Sequence, residues 1–198
     1  MRLIGNISGE LYAPMISPDG TKIVFTRHFS ESEQYISTCE RDGSSVQNLT
    51  VYYDAKDPVW SPDGTKILFT SLHGGTPQLF IMNADGTTIQ KISELTGIRG
   101  RTDWSIHLAV ATYAGEKEEH NREIILLELG GEPIVITEGG DNLSPTFSPD
   151  GHWLAFMSYR DNFWQADGCE LYVMRIDGRE LRRITTNDYC DFQPRWGP

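Results

Sequence analysis

Cysteine is scarce. Only Cys39, Cys169 and Cys190 occur in 198 residues, and no two are spaced as Cys-x-x-Cys. A zinc site made of thiolates is therefore unsupported, and at least one thiol stays unpaired. No segment has the roughly 18 consecutive apolar residues needed to span a bilayer. The opening Met1-Arg2-Leu3-Ile4-Gly5-Asn6 lacks the apolar run of a secretory signal. The expectation is an intracellular protein, or one whose leader was removed ahead of this sequence. Positive charge is also in short supply: 17 Lys and Arg stand against 28 Asp and Glu, for a net charge of -11. A phosphate-binding surface needs clustered Lys and Arg, so nucleic acid and anionic membrane are poor partners. A cationic protein patch or a neutral ligand fits better. No apolar 3.6 period persists over three turns, which argues against helices. The nucleophile elbow Gly-x-Ser-x-Gly is absent, and with it the signature of a serine peptidase.

What is present is a repeat. Ser17-Pro18-Asp19-Gly20 recurs as Ser61-Pro62-Asp63-Gly64 and as Ser148-Pro149-Asp150-Gly151. Each copy follows an apolar stretch opening with proline (Pro14, Pro58, Pro145) and precedes a β-rich run (Thr21 to Thr26, Thr65 to Thr70, His152 to Met157). A degenerate copy, Thr102-Asp103-Trp104-Ser105, leads into Leu108-Ala109-Val110-Ala111, and a partial one, Pro194-Arg195-Trp196, lies at the far end. The copies start near 14, 58, 102, 145 and 194, with steps of 44, 44, 43 and 49. That period suits propeller blades of four short strands.

One unit can be derived from its residues. In Ser-Pro-Asp-Gly, proline presets φ, aspartate tolerates the next position and glycine accepts positive φ, which gives a tight corner between strands A and B. Strand B is rich in Ile, Val, Leu and Phe. Strand C follows at Gln34 to Cys39, Gln78 to Asn83, Glu123 to Glu128 and Glu170 to Arg175. It ends at Asp42-Gly43, Asp85-Gly86, Gly130-Gly131 or Asp177-Gly178, where two-residue primed hairpin turns are expected. A short strand D comes next, at Val46 to Leu49, Ile89 to Ile92, Ile134 to Ile136 and Leu181 to Ile184. Arg2 to Ile7 reads as an extra strand D. Trp60, Trp104 and Trp196 hold equivalent positions, which points to blade packing. Asp19, Asp63 and Asp150 serve the corners, and Asp57 and Asp103 flank strand A.

The run Pro58-Val59-Trp60-Ser61-Pro62-Asp63-Gly64-Thr65-Lys66-Ile67-Leu68-Phe69-Thr70-Ser71, followed by Leu79-Phe80-Ile81-Met82-Asn83-Ala84-Asp85-Gly86, resembles the TolB-like, WD-like propeller repeat. The resemblance covers essentially the whole chain. It implies an all-β propeller of four-stranded antiparallel blades, read as one domain over residues 1–198. There would be four full repeats and parts of a fifth. Propellers of the family usually have six or more blades, so an incomplete ring or a half-ring assembling with a second copy is expected, since open strand edges recruit partners. Such repeats occur in the Tol-Pal envelope system, in prolyl-oligopeptidase-like and tricorn-like peptidases, and in oligogalacturonate lyases. The resemblance implies a periplasmic or envelope location if a leader was removed, and a cytoplasmic one otherwise. Fold alone does not transfer activity.

Alternating antiparallel strands bring the D–A connectors and B–C loops to one face, where binding residues usually sit. The connectors offer Tyr52-Tyr53-Asp54, Arg99-Gly100-Arg101 and Asp188-Tyr189-Cys190-Asp191; the loops offer Arg27-His28, His73, His120 and Tyr159-Arg160-Asp161-Asn162-Phe163-Trp164. The binding set is therefore Arg27, His28, Tyr52, Tyr53, His73, Arg99, Arg101, Tyr159, Arg160, Asp161, Phe163, Trp164, Tyr189 and Asp191, types that anchor interfaces. Phe163 and Trp164 could equally pack under their own loop. Glu118-Glu119-His120 matches no defensible metal motif and reads as a solvated loop. The dispersed His28, His73 and His120 share the loop face, but a lyase-like metal site would need them to converge, which four blades without a closed ring disfavour. A bridge between Cys169 and Cys190 requires Cα atoms within about 7 Å. The expectation is a binding module for a protein or peptide, without catalytic residues, metal or cofactor. The alternatives are a carbohydrate-active or peptidase propeller, and a structural fragment that assembles.

Overall fold

The computed structural model describes residues 7–30, 33–51, 54–92, 94–95, 97–105, 108–113, 121–161 and 168–196. The described residues contain sixteen strands and no helix. They form four antiparallel four-stranded sheets in simple meander order. The chain divides into two compact units, Met1–Glu94 and Leu95–Pro198.

In the first unit, the first sheet holds β1 (Glu10–Ile16), β2 (Lys22–Ser30), β3 (Glu33–Glu40) and β4 (Gln47–Asn48), and the second holds β5 (Ala55–Trp60), β6 (Lys66–Ser71), β7 (Gln78–Asn83) and β8 (Gln90–Lys91). Between them lies a core of Val24 and Ile36 from one sheet and Trp60, Ile67, Phe69, Phe80 and Met82 from the other. Phe69 and Phe80 are directly opposed across the strands and stack at 5.7 Å. Such a pair adds about 1 kcal/mol beyond its burial.

In the second unit, β9 (Ile98–Trp104), β10 (Leu108–Tyr113), β11 (Glu123–Glu128) and β12 (Ile134–Val135) form one sheet, and β13 (Asn142–Phe147), β14 (Trp153–Ser158), β15 (Glu170–Arg175) and β16 (Arg182–Arg183) form the other. Ile124 and Leu126 pack on Phe147, Leu154, Phe156, Tyr172 and Met174. Phe156 and Tyr172 repeat the stacked pair at 6.0 Å. The expected four-stranded blades are thus observed, with equivalent residues making equivalent contacts.

The corners explain why the sequence folds this way. Ser17 Oγ donates to Asp19 Oδ1 at 2.6 Å and accepts from the Lys22 amide at 2.9 Å, while the Thr21 amide donates to Asp19 Oδ1. Ser61-Asp63 and Ser148-Asp150 repeat the pattern. Gly64, at φ +70, lies against the neighbouring corner's Pro18, within 3.5 Å of where a Cβ would stand. The Asp-Gly turns differ from expectation. Gly43 at φ +86 donates to Glu40 O and Glu40 donates to Ser44 O. This is a three-residue turn with glycine in the left-handed position rather than a two-residue primed turn, and Asn83-Gly86-Thr87 and Arg175-Gly178-Arg179 match it.

In β1, β5 and β13 strand A carries a bulge: the residue before its proline has positive φ, at Ala13 (48°), Asp57 (54°) and Ser144 (50°), and the register shifts there. Gln193 before Pro194 has φ 53°. The Asp191 amide donates to Cys169 O at 2.8 Å, as the Asn142 amide donates to Arg122 O at 2.7 Å. The partial fifth copy therefore follows the path of a strand A against the fourth sheet.

Candidate functional site

Two clusters on the loop side emerge, one in each unit. In the second unit the B–C end of β14 meets the connector leading into β13. Arg160 Nε donates to Ser158 Oγ at 3.1 Å, and Nη2 donates to Asn142 Oδ1 at 3.0 Å. Its guanidinium lies 5.0 Å from the Tyr172 ring centroid and 5.8 Å from that of Phe156. Tyr172 OH donates to Asp161, and Arg183 pairs with both Asp161 and Glu170. Burial and the bond to Asp161 push the Tyr172 phenol above its ordinary value.

Glu170 is buried, 1% exposed, and accepts from Arg183, Thr185 Oγ1 and the Asn187 amide. Burial alone would raise its pKa, but those three donors together outweigh it and hold the carboxyl below its ordinary value. One repeat earlier Glu123 accepts from Thr137 Oγ1, the Gly139 amide and Asn142 Nδ2. A glutamate opening strand C thus anchors the connector in both blades. Arg122, just before β11, grips Asp141 on that connector through Nε and Nη2, both at 2.5 Å. The corresponding positions of the fourth blade are Cys169 and Cys190, which form a disulfide with Cα atoms 4.4 Å apart. Cys39 is buried and unbridged, and that burial raises its thiol pKa.

Of the residues singled out in this unit, Tyr159 sits with its hydroxyl 3.9 Å from Cys190 Sγ, Tyr189 is 76% exposed, and Asp191 accepts from Asn187 Nδ2. Tyr159, Arg160, Asp161 and Asp191 come together at this mouth. Arg99 and Arg101 do not lie in a connector as expected; they belong to β9, because pairing with β10 reaches Ile98. Phe163, Trp164 and His120 lie outside the described residues. Asp103 proves structural: its Oδ2 accepts from Thr146 Oγ1 at 2.7 Å and from the Phe147 amide at 2.8 Å, tying two A strands together.

In the first unit Arg27 and His28 also belong to a strand rather than a loop, since β2 stays paired out to Ser30. Arg27 donates to Ser8 O, Ser8 Oγ and Asn48 Oδ1 and lies 4.7 Å over Phe29. His28 Nδ1 stands 3.4 Å from Glu10, whose carboxyl is lowered by the Tyr12 hydroxyl and then by His28. His73 is exposed and edge-on to Phe80 at 6.4 Å. Tyr52 and Tyr53 lie outside the described residues. A cleft of about 340 Å³ on the corner side is lined by Asp19, Lys22, Thr38, Trp60, Asp63 and Asp85 among others. Among the described residues no group of three or more His, Cys, Asp or Glu could hold a metal ion. Among them, too, no helix is long and apolar enough to cross a membrane.

The TolB β-propeller domain matches residues 1–161. The chain belongs to the TolB β-propeller family. A protein TolB homolog of Chlorobium chlorochromatii (strain CaD3) is 33% identical over 145 residues, covering 71% of this chain and 32% of that protein. The uncharacterized peptidase YuxL of Bacillus subtilis (strain 168) is 34% identical over 85 residues, covering 42% of this chain and 12% of that protein. This TolB-family chain therefore spans no more than about a third of the length of these curated relatives. Among solved structures, a putative TolB from Agrobacterium tumefaciens superposes with a TM-score of 0.81 at 24% identity, covering 100% of this chain and 69% of that one.

Proposed function

We propose that this TolB-family chain is a non-enzymatic binding module that engages a protein or peptide through the loop side of its blades. The observation that carries this reading is the mouth of the fourth blade. A disulfide, a buried glutamate and an arginine stack hold the loop ends in place there, and Tyr159, Asp161 and Tyr189 are displayed around them. Rigid presentation of aromatic and charged side chains is what interfaces use for their anchors. The sequence offers no Gly-x-Ser-x-Gly nucleophile to set against it. A second reading, the propeller part of a peptidase, is favoured by the 34% identity over 85 residues to the uncharacterized peptidase YuxL.

Photo-crosslinking tests the first reading. A photoreactive phenylalanine at Tyr189 or Asp161 is expected to trap a protein from the source organism's extract, and one at Ile134 on an outer strand is not. Equal trapping at all three positions, or none, overturns it. Capture of a peptidase domain at Tyr189 or Asp161 would instead favour the peptidase reading.

A further inference from the structure

We propose that Arg160 is a prepositioned anchor for a carboxylate of the bound peptide; the inference rests on the binding-module reading. Its guanidinium is fixed before any ligand arrives. Ser158 and Asn142, which accept from Nε and Nη2, are both 0% exposed. Tyr172 and Phe156 lie under its face. The connector makes room for it: a Cβ on Gly140, at φ +99, would fall 2.7 Å from Arg160 Cβ and 3.0 Å from Ser158 Oγ. Only glycine fits this approach in this conformation.

The charge on Arg160 is not neutralised by its holders. Arg122 and Arg183, at the same mouth, each grip carboxylates of their own. Arg160 is held by a hydroxyl and an amide oxygen, both neutral, and among the described residues no carboxylate pairs with it. Its Nη1 carries no hydrogen bond among them. A half-buried guanidinium with neutral holders and an unused edge favours an incoming anion, and its planar fork suits a carboxylate. Because its rotamer is already set, binding loses little side-chain entropy. The carboxylate can belong to a peptide's C-terminus or to a Glu or Asp side chain.

Three probes separate these sources: acetylated tri-alanine with a free carboxylate, its C-terminal amide, and an amidated peptide with one internal glutamate. The readout is the Arg160 Nε–H cross-peak of the whole chain. Saturable shifts with a Kd on the order of a millimolar are expected from the free acid, from the glutamate peptide, or from both, and none from the plain amide. Arg160→Lys keeps the charge but loses the fork, and should weaken binding at least tenfold. Equal shifts from acid and amide overturn the proposal. So does unchanged acid binding, followed on backbone amides, in a folded Arg160→Gln variant whose only defect is a lower Tm; that result makes Arg160 purely structural. If Arg160→Gln still traps the protein partner as wild type does, this inference falls and the loop-side reading stands. If the acid probes bind wild type but no partner is trapped, the loop-side reading falls and the carboxylate site stands.

Discussion

Arg122 grips Asp141 through a two-bonded ion pair, and this pair stands where the next repeat places a disulfide between Cys169 and Cys190. Both clasps join the residue before strand C to the residue before the following strand A. One position of the repeat therefore carries either of two chemistries for the same mechanical task. In the first unit Asp54, at the matching connector position, has a buried Oδ1 with no hydrogen-bond partner among the described residues.

Asp141→Ala is expected to be strongly destabilising. Asp141 is almost entirely buried, and its loss leaves the Arg122 guanidinium without its partner. Breaking such a pair from one side costs roughly 3 kcal/mol. Urea unfolding measures the loss, and an unchanged midpoint would show that the clasp is dispensable.

Reducing the disulfide should cost about as much. The bridge joins positions 21 apart in sequence, and a loop of that order corresponds to roughly 3 kcal/mol. The Cys169→Ala, Cys190→Ala double variant should lose hydrogen-exchange protection first over residues 186–196. Loss spread evenly across β13 to β15 would contradict a local clasp.

Acid should weaken the protein through its depressed carboxyls. Asp63 is lowered to about 2, first by the Ser61 hydroxyl and then by Thr65. Glu170 is also lowered, burial notwithstanding. A group whose folded pKa lies below its unfolded value adds stability above the unfolded pKa and loses it as pH falls through the folded one. Tm should therefore fall from about pH 4 toward pH 2, less steeply in Ser61→Ala, where the Asp63 titration moves up. Carbon-detected NMR of the Asp63 carboxyl checks the midpoint directly.

The two tryptophans make the same bond with unequal burial. Trp60 Nε1 donates to Met15 O at 3.3 Å and Trp196 Nε1 to Thr146 O at 3.1 Å, but Trp60 is 2% exposed and Trp196 38%. Trp60→Ala should cost roughly 4 kcal/mol, and Trp196→Ala about 1 kcal/mol. Denaturant titration of the two variants decides; similar losses would mean that both are fully packed in solution.

The blades were legible because their cause is local. Ser17, Asp19 and Gly20 close a corner within a few residues, and the corner recurs at Ser61 and Ser148. The loop-side site was read only in part. Arg27, His28, Arg99 and Arg101 were expected in loops, but strand ends depend on how far the partner strand continues to pair. Arg160 was recognised as a type, while its holders Ser158, Asn142 and Gly140 were not. Glu170 and the Arg122–Asp141 pair were missed. Aligning the repeats around the two cysteines would have placed Arg122 and Asp141 in register with them.

The sequence alone determined the all-β character, the blade period and the turn residues, because each depends on contacts within a few positions of the chain. Tertiary structure decided which distant residues meet: Cys169 with Cys190, Asp103 with Thr146, Arg160 with Asn142. The physical reason is geometric. The chain returns to a strand whose partner residue lies 18 to 43 positions away, and a bulge of one residue in strand A changes which side chains face each other there.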